Sequence, residues 1–235
     1  MRGCSLNKYA HPDAAQTLKQ LLTQRHSCRA FLADALPQEM IVEMLRIAQR
    51  TASWCNTQPW RVFVASGDST RKLREALSAA VATRRAKSDL PFPPTYEGPH
   101  LERRRASGLQ LYAAAGVAKG DREASARQSL RNFEFFDAPH VLVLATPRYL
   151  GTYGAVDCGG WIANLLLAAE ALGIAAIPQA ALATQSEVLR AHFSIPINLD
   201  IICGVSFGKE DKASPLNAYR TARADLDEVC EWFND

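Results

Sequence analysis

Val156-Asp157-Cys158-Gly159-Gly160-Trp161-Ile162-Ala163-Asn164-Leu165-Leu166-Leu167-Ala168-Ala169-Glu170-Ala171-Leu172 is the most apolar helical pattern in the chain. A helix that is hydrophobic nearly all round should be buried all round. In 235 residues that makes it a central helix, or one covered by a partner subunit. Gly173 stops it, as a glycine just past a helix end does. Two apolar runs flank it. Residues 140–146, His-Val-Leu-Val-Leu-Ala-Thr, suit a central strand buried on both faces. Residues 199–207 read as a second core strand, punctuated by Gly204 and Gly208, and 174–177 as a short third one.

Upstream, residues 12–24 look helical, with Leu18, Leu21 and Leu22 on one face. Pro37 is a good first helical residue and opens a helix to about 50, with Ile41, Met44, Leu45 and Ala48 at helical spacing. Residues 60–65 alternate as a strand, and Pro59 should push Gln58 into an extended conformation. Further helices are expected at about 70–86, 101–118 and 121–128. A capping box, Thr184-Gln185-Ser186-Glu187, is expected to open a helix to about 193, and Asp225 and Glu228 to cap a terminal helix over 226–233. The cluster Phe133, Phe135 and Phe136 reads as core.

Composition narrows the function classes. The chain is 48% hydrophobic and 22% charged with net charge +3, enough for one sizeable core and too little charge to argue for nucleic acid. No run approaches the roughly 18 apolar residues of a membrane span, and residues 1–12 lack the apolar core of a signal peptide, so the expectation is a cytoplasmic protein. The six cysteines are far apart, with no Cys-x-x-Cys pair, which suggests free thiols in a reducing compartment. The five histidines show no metal-ligand spacing, so no metal is expected. Phosphate-binding glycine motifs and the nucleophile elbow are missing.

Four stretches carry candidate chemistry. Arg25-His26-Ser27-Cys28-Arg29 sets two arginines around a hydroxyl; this is an anion site or a solvated helix end. Asn56-Thr57-Gln58-Pro59-Trp60 packs two amides beside a proline at a helix–strand junction; it reads either as a ligand loop or as a turn. Pro178-Gln179-Ala180-Ala181 ends a strand with small residues that let backbone amides approach a flat ligand. Residues 88–107 hold four prolines, Phe92, Tyr96 and the run Arg103-Arg104-Arg105; they read as a surface loop, a binding lid or a solvated insertion.

Taken in order, Arg25–Arg29, Ser53 with Asn56–Trp60, the helix ending at Leu172-Gly173, Pro178-Gln179-Ala180-Ala181-Leu182, and Gly204 followed by Asn217-x-x-Arg220-Thr221-x-Arg223 resemble the flavin-dependent nitroreductase family. The pattern looks most like its nitrobenzoate-reductase branch. The resemblance implies an α+β sandwich, a mixed and mainly antiparallel sheet flanked by helices, in an intertwined homodimer. It implies residues 1–11 as an extension and 12–235 as one domain with a variable excursion at about 88–130. It implies FMN at the dimer interface and NADH or NADPH as electron donor. By position, Arg25 and Ser27 would hold the phosphate and ribityl chain, Arg220 and Arg223 would reach the phosphate with Lys209 a weaker candidate, and His26 would be among the FMN-binding residues. Arg29 would lie near the pyrimidine edge, Ser53, Asn56 and Gln58 beside the ring and ribityl chain, and Pro178, Gln179, Ala180 and Gly204 along the ring. No side-chain base is required, because the flavin carries the chemistry through its N5 in a ping-pong hydride transfer. The implied acceptor is nitroaromatic or quinone-like; other flavin-dependent reactions, dehydrogenation or dehalogenation, are the alternative on this fold. Trp54, Phe92 and Tyr96 would shape the substrate mouth, with Arg103 to Arg105 selecting an acidic aromatic. Trp54 departs from the family's usual small residue and is open to two readings, over the flavin or into the core. Cys28 and Cys55 are assigned no redox role.

Overall fold

The computed structural model describes residues 11–83 and 86–233, so the extension expected at 1–11 lies almost wholly outside the described residues. In chain order the elements are α1 (Pro12–Gln24), α2 (Gln38–Ala48), β1 (Arg61–Ser66), α3 (Asp68–Thr83), α4 (Gly98–Ala114), α5 (Arg122–Leu130), β2 (His140–Pro147), α6 (Gly151–Ala171), β3 (Ala175–Gln179), α7 (Ala180–Ala183), α8 (Ser186–Phe193) and β4 (Leu199–Gly208).

The strands form one sheet in the order β1-β2-β4-β3, and every neighbouring pair is antiparallel. Parallel pairing among the described residues is confined to the isolated bridges Ser27↔Ala176 and Lys87↔Gln185. The two central strands, β2 and β4, are the continuous apolar runs of the sequence, and every residue of 140–146 is buried. Val141, Val143 and Ala145 face one layer, with α3 and α8. Leu142 and Leu144 face the other, with α2 and α6. In β4 the parity changes: Leu199 and Ile201 belong to the first layer, Cys203, Val205 and Phe207 to the second. A bulge explains this. Leu144 pairs with Cys203 but Ala145 with Ile201, so Ile202 is the extra residue. One inserted residue moves all that follow to the opposite face.

α6 departs from the expectation of burial all round. Gly154, Cys158, Trp161, Leu165, Ala168 and Ala169 are buried against the sheet, while Tyr153 and Val156 on the other side are 64% and 60% exposed. Within the chain the sheet, α2 and α1 cover one side of the helix and leave the other open. The 184–187 capping box is also absent. Residues 180–183 form their own helical turn, so the Thr184 hydroxyl donates back to the Ala181 carbonyl, and Gln185 takes the N-cap position without a side-chain cap. The entry to α8 is instead held from residue 87, whose carbonyl accepts from the Ser186 hydroxyl at 3.0 Å. Asp225 and Glu228 do form a capping box, but the terminal helix lasts one turn, Leu226–Glu228. Val229, Trp232 and Phe233 beyond it are 64%, 72% and 90% exposed, so no packing extends so short a helix. No described helix is long and apolar enough to cross a membrane.

His140, at the start of β2, ties the layers together. Its Nε2 accepts from the Leu36 N–H at 2.8 Å, which leaves the proton on Nδ1 to donate to Ser66 Oγ at 2.7 Å. The ring stacks on Phe207 at 5.3 Å. Burial lowers its pKa from the ordinary histidine value. A depressed folded pKa contributes stability that is present above the unfolded value, about 6.5, and is lost as pH falls through the folded one. The thermal midpoint should therefore drop on acidification below about pH 6.5. His140→Gln should flatten that part of the profile; equal slopes in both proteins would refute the assignment.

Candidate functional site

α1 ends at Gln24 and the chain leaves it extended, laid along β3 through the Ser27↔Ala176 bridge and the Cys28 N–H on the Ala176 carbonyl. Extended backbone alternates its side chains. Cys28 points inward and is fully buried, which pushes its thiol up to about 12 and leaves it inert. Ser27 and Arg29 accordingly point the other way.

They point into a cavity of about 710 Å³. One wall is a single face of α1: Ala15, Leu18, Lys19, Leu22 and Thr23, at the i, i+3, i+4, i+7, i+8 spacing of a helix. Arg25, His26, Ser27 and Arg29 form the floor. Tyr219, Arg220, Thr221 and Arg223 come from the far end of the chain, and Ser107 from α4. Five cations thus line one cavity with no Asp or Glu among the lining residues. Arg29 is fixed by its Nη1 donating to the Tyr219 hydroxyl at 2.9 Å and to the Ser27 carbonyl at 3.1 Å. Arg220 donates to the carbonyls of Asn217 and Tyr219, and Arg223 to the Thr221 carbonyl and hydroxyl. All these partners are neutral, so the arginines keep their full charge for a ligand.

The two ends of the chain are joined by Asn217, which is 4% exposed. Its Oδ1 accepts from the Arg29 N–H at 2.7 Å, and its Nδ2 donates to the carbonyls of Ala30 and Asp211, both at 2.9 Å. Asn217 is visible in the sequence motif, yet its positioning role emerges only from these contacts. Lys19, Tyr219 and Ser107 carry no sequence signal.

Six of the expected site residues are therefore brought together: Arg25, His26, Ser27, Arg29, Arg220 and Arg223. His26 also contacts Glu210 at 3.0 Å, and Lys209 lines a neighbouring cavity rather than this one. Ser53, Asn56 and Gln58 form a separate cluster that does not line the cavity. Gln58 is not extended: Cys55, Asn56 and Gln58 have φ of 49°, 56° and 48°. Local hydrogen bonds hold this left-handed run against the preference set by Pro59. Gln58 N donates to Ser53 Oγ at 2.9 Å, Gln58 Nε2 to the Asn56 carbonyl, and Gln49 Nε2 to Gln58 Oε1. Trp60 is buried and donates its indole N–H to Gln49 at 2.8 Å.

Pro178, Gln179 and Ala180 end β3. The Gln179 side chain is 2% exposed and already engaged, donating to Asn132 and accepting from Ser206, which leaves only its backbone for a ligand. Gly204 has a packing role: a Cβ there would sit 2.4 Å from Leu182 Cδ1. Trp54 does not face the core. It is 65% exposed, its ring lies 5.3 Å from Tyr153, and its N–H donates to the Asp157 carboxylate at 3.1 Å. Phe92 and Tyr96 are exposed and do not line the cavity. Arg103 pairs with Glu228 at 2.7 Å, and the Arg104 guanidinium lies over Tyr96 at 5.1 Å, so the arginine run is partly occupied within the chain.

Fold and cavity together describe an α+β protein with a basic site built from its two ends. The nitroreductase family model matches residues 22–209, and the chain belongs to that family. It is 36% identical over 218 residues to nitroreductase NfnB of Mycolicibacterium smegmatis, covering 92% of this chain and 93% of that one. It is 31% identical to a chloronitrobenzene nitroreductase of Comamonas testosteroni, covering 93% and 97%. Among solved structures, the FMN-dependent nitroreductase NfnB from Mycobacterium smegmatis, in complex with NADPH, superposes with a TM-score of 0.91 at 34% identity, covering 94% of this chain and all of that one.

Proposed function

We propose that the chain is an FMN-dependent, NAD(P)H-oxidising reductase of nitroaromatic or quinone-like acceptors. The observation that carries this is the cavity in which Arg25, Arg29, Arg220 and Arg223 surround Ser27 with no acidic lining residue. The residues fit FMN, whose phosphate brings close to two negative charges and suits clustered guanidinium forks. Arg25 and Ser27 would take the phosphate end from below, Arg220 and Arg223 from the rim, and Arg29 would face the pyrimidine edge of the ring. His26, held by Glu210, would close the floor beside them. When bound, FMN supplies the hydride chemistry between nicotinamide and acceptor. The chain's own residues bind and orient it: Tyr219 and Asn217 fix Arg29, and Asp157 fixes the loop that carries Trp54.

The reading includes a homodimer. Half of α6 is uncovered, and Ser53, Asn56 and Gln58 lie outside their own chain's cavity. A second copy would cover the helix and bring those amides, with the backbone of Pro178, Gln179 and Ala180, to the ring. Trp54 would then stand at the mouth as an aromatic surface for a flat acceptor. The test is direct. Flavin-free protein should take up FMN with quenching of flavin fluorescence, and NADPH should bleach the bound flavin within the dead time of manual mixing. Protein that binds no FMN ends this reading.

A further inference from the structure

We propose that Gln179 is a positioning residue of the flavin site: its buried side chain holds the backbone of Pro178, Gln179 and Ala180 against the ring and so sets how readily the bound flavin is reduced. The inference rests on the FMN reading above and deepens it. Ile177 pairs with Ser206 and Gln179 with Gly204, so these residues share the sheet face that carries Ile177 into an apolar layer. Gln179 and Ser206 are 2% and 0% exposed there. The Gln179 amide nitrogen donates to the Asn132 carbonyl at 2.9 Å and to Asn132 Oδ1 at 3.2 Å, and the Ser206 hydroxyl donates to Gln179 Oε1. A backbone carbonyl can only accept, so the amide has one orientation. A leucine in this layer would avoid the cost of burying an amide; a satisfied polar network instead fixes one geometry.

What Gln179 grips is strained. Asn132 opens a turn in which Phe135, Phe136 and Asp137 have φ of 60°, 52° and 69°. Left-handed residues other than glycine persist only where their surroundings over-determine them. Two of the pins come from the segments expected to face the flavin. Gln179 holds Asn132, and the N–H of Phe31, two residues past Arg29, donates to the Phe136 carbonyl at 3.3 Å. Arg74 closes the far side, donating to the Ala138 carbonyl at 3.0 Å. The turn therefore braces the end of β3 against the extended segment that carries Arg25 to Arg29. Backbone dipoles beside a ring stabilise the electron density that reduction adds only while their orientation is fixed. Gln179 does not line the basic cavity, so FMN affinity and ease of reduction should respond separately to its loss.

The test is a spectroscopic redox titration of the FMN-loaded chain. Gln179→Met keeps the length of the side chain and removes both polar ends. It should lower the two-electron midpoint potential of the bound flavin by about 30 mV, a ten-fold shift in the reduction equilibrium. FMN affinity, measured separately on flavin-free protein, should stay within about three-fold of the wild type, because the arginine cavity is untouched. Ser206→Ala deletes one hydroxyl and leaves Gln179 in place. It should lower the potential by a smaller amount, and it carries the test if Gln179→Met does not fold. Loss of core stability alone does not move the potential of a flavin that stays bound. An unchanged or raised potential in Gln179→Met, or in Ser206→Ala where Gln179→Met does not fold, would overturn the proposal and leave Gln179 a core amide. So would a loss of FMN affinity beyond about three-fold, which would make the residue part of binding. If the wild type takes up no FMN, the functional reading itself fails; if it takes up FMN and the potential does not fall in the variants, only this inference does.

Discussion

Arg25→Ala is expected to purify nearly colourless and to rebind FMN about a hundred-fold more weakly than the wild type. A bidentate guanidinium–phosphate contact is of order 3 kcal/mol, and each 1.4 kcal/mol is ten-fold in affinity. Arg25 is half-buried on the cavity floor, and its guanidinium donates no hydrogen bond among those described; its backbone N–H bond to the Leu21 carbonyl survives in alanine, so the substitution should leave the fold intact. The thermal midpoint of the flavin-free variant should match that of the flavin-free wild type. Arg103→Ala is the control, since its partner is Glu228 and it does not line the cavity. An Arg25→Ala protein with unchanged FMN affinity would remove the phosphate from this floor.

The largest expected loss of stability is at Asp89. Its carboxylate accepts from Arg190 Nη2 and from the Ile201 N–H at 2.8 Å, and the two side chains are only 10% and 13% exposed. Arg190 also donates to the carbonyls of Pro196 and Leu199. Asp89→Ala leaves a nearly buried guanidinium without its counter-charge, a loss of about 3–5 kcal/mol. In a domain of this size that lowers the thermal midpoint by roughly 10 °C. Removing the charge as well, in Asp89→Leu with Arg190→Met, should recover much of the loss. A single variant that melts within about 2 °C of the wild type would show the pair to be dispensable.

How far the sequence could be read depended on how local the cause was. β2 and β4 were legible because burial on both faces leaves an uninterrupted apolar run. The bulge at Ile202 was not, because an extra residue in an apolar strand leaves no compositional trace. The loop at Cys55–Gln58 was legible as a fixed polar segment, but not its left-handed backbone, which depends on Ser53 and Gln49 meeting Gln58. The excursion after residue 86 read as a loose loop, yet Lys87 and Asp89 anchor its start to α8 and β4 through partners about a hundred residues away. In the site, Arg25, Arg29, Arg220 and Arg223 announced themselves as charge clusters. Lys19 did not, since a lysine on a helix face is ordinarily solvated. Gly204 has a cause its motif hides: a Cβ there would meet Leu182, so the position answers to packing.

The clasp at Asn217 also sets the order in which this protein can become competent. It joins Arg29 to a residue 188 positions later, and the walls of the cavity come from residues 15–29 and 219–223. Contacts so distant in sequence close last, because the intervening chain must be ordered first. On the ribosome, the first half of the pocket emerges early and waits, with its arginines facing water, until residues 217–223 have been made. A nascent chain stalled before residue 217 should therefore be able to fold much of its sheet and still hold no flavin.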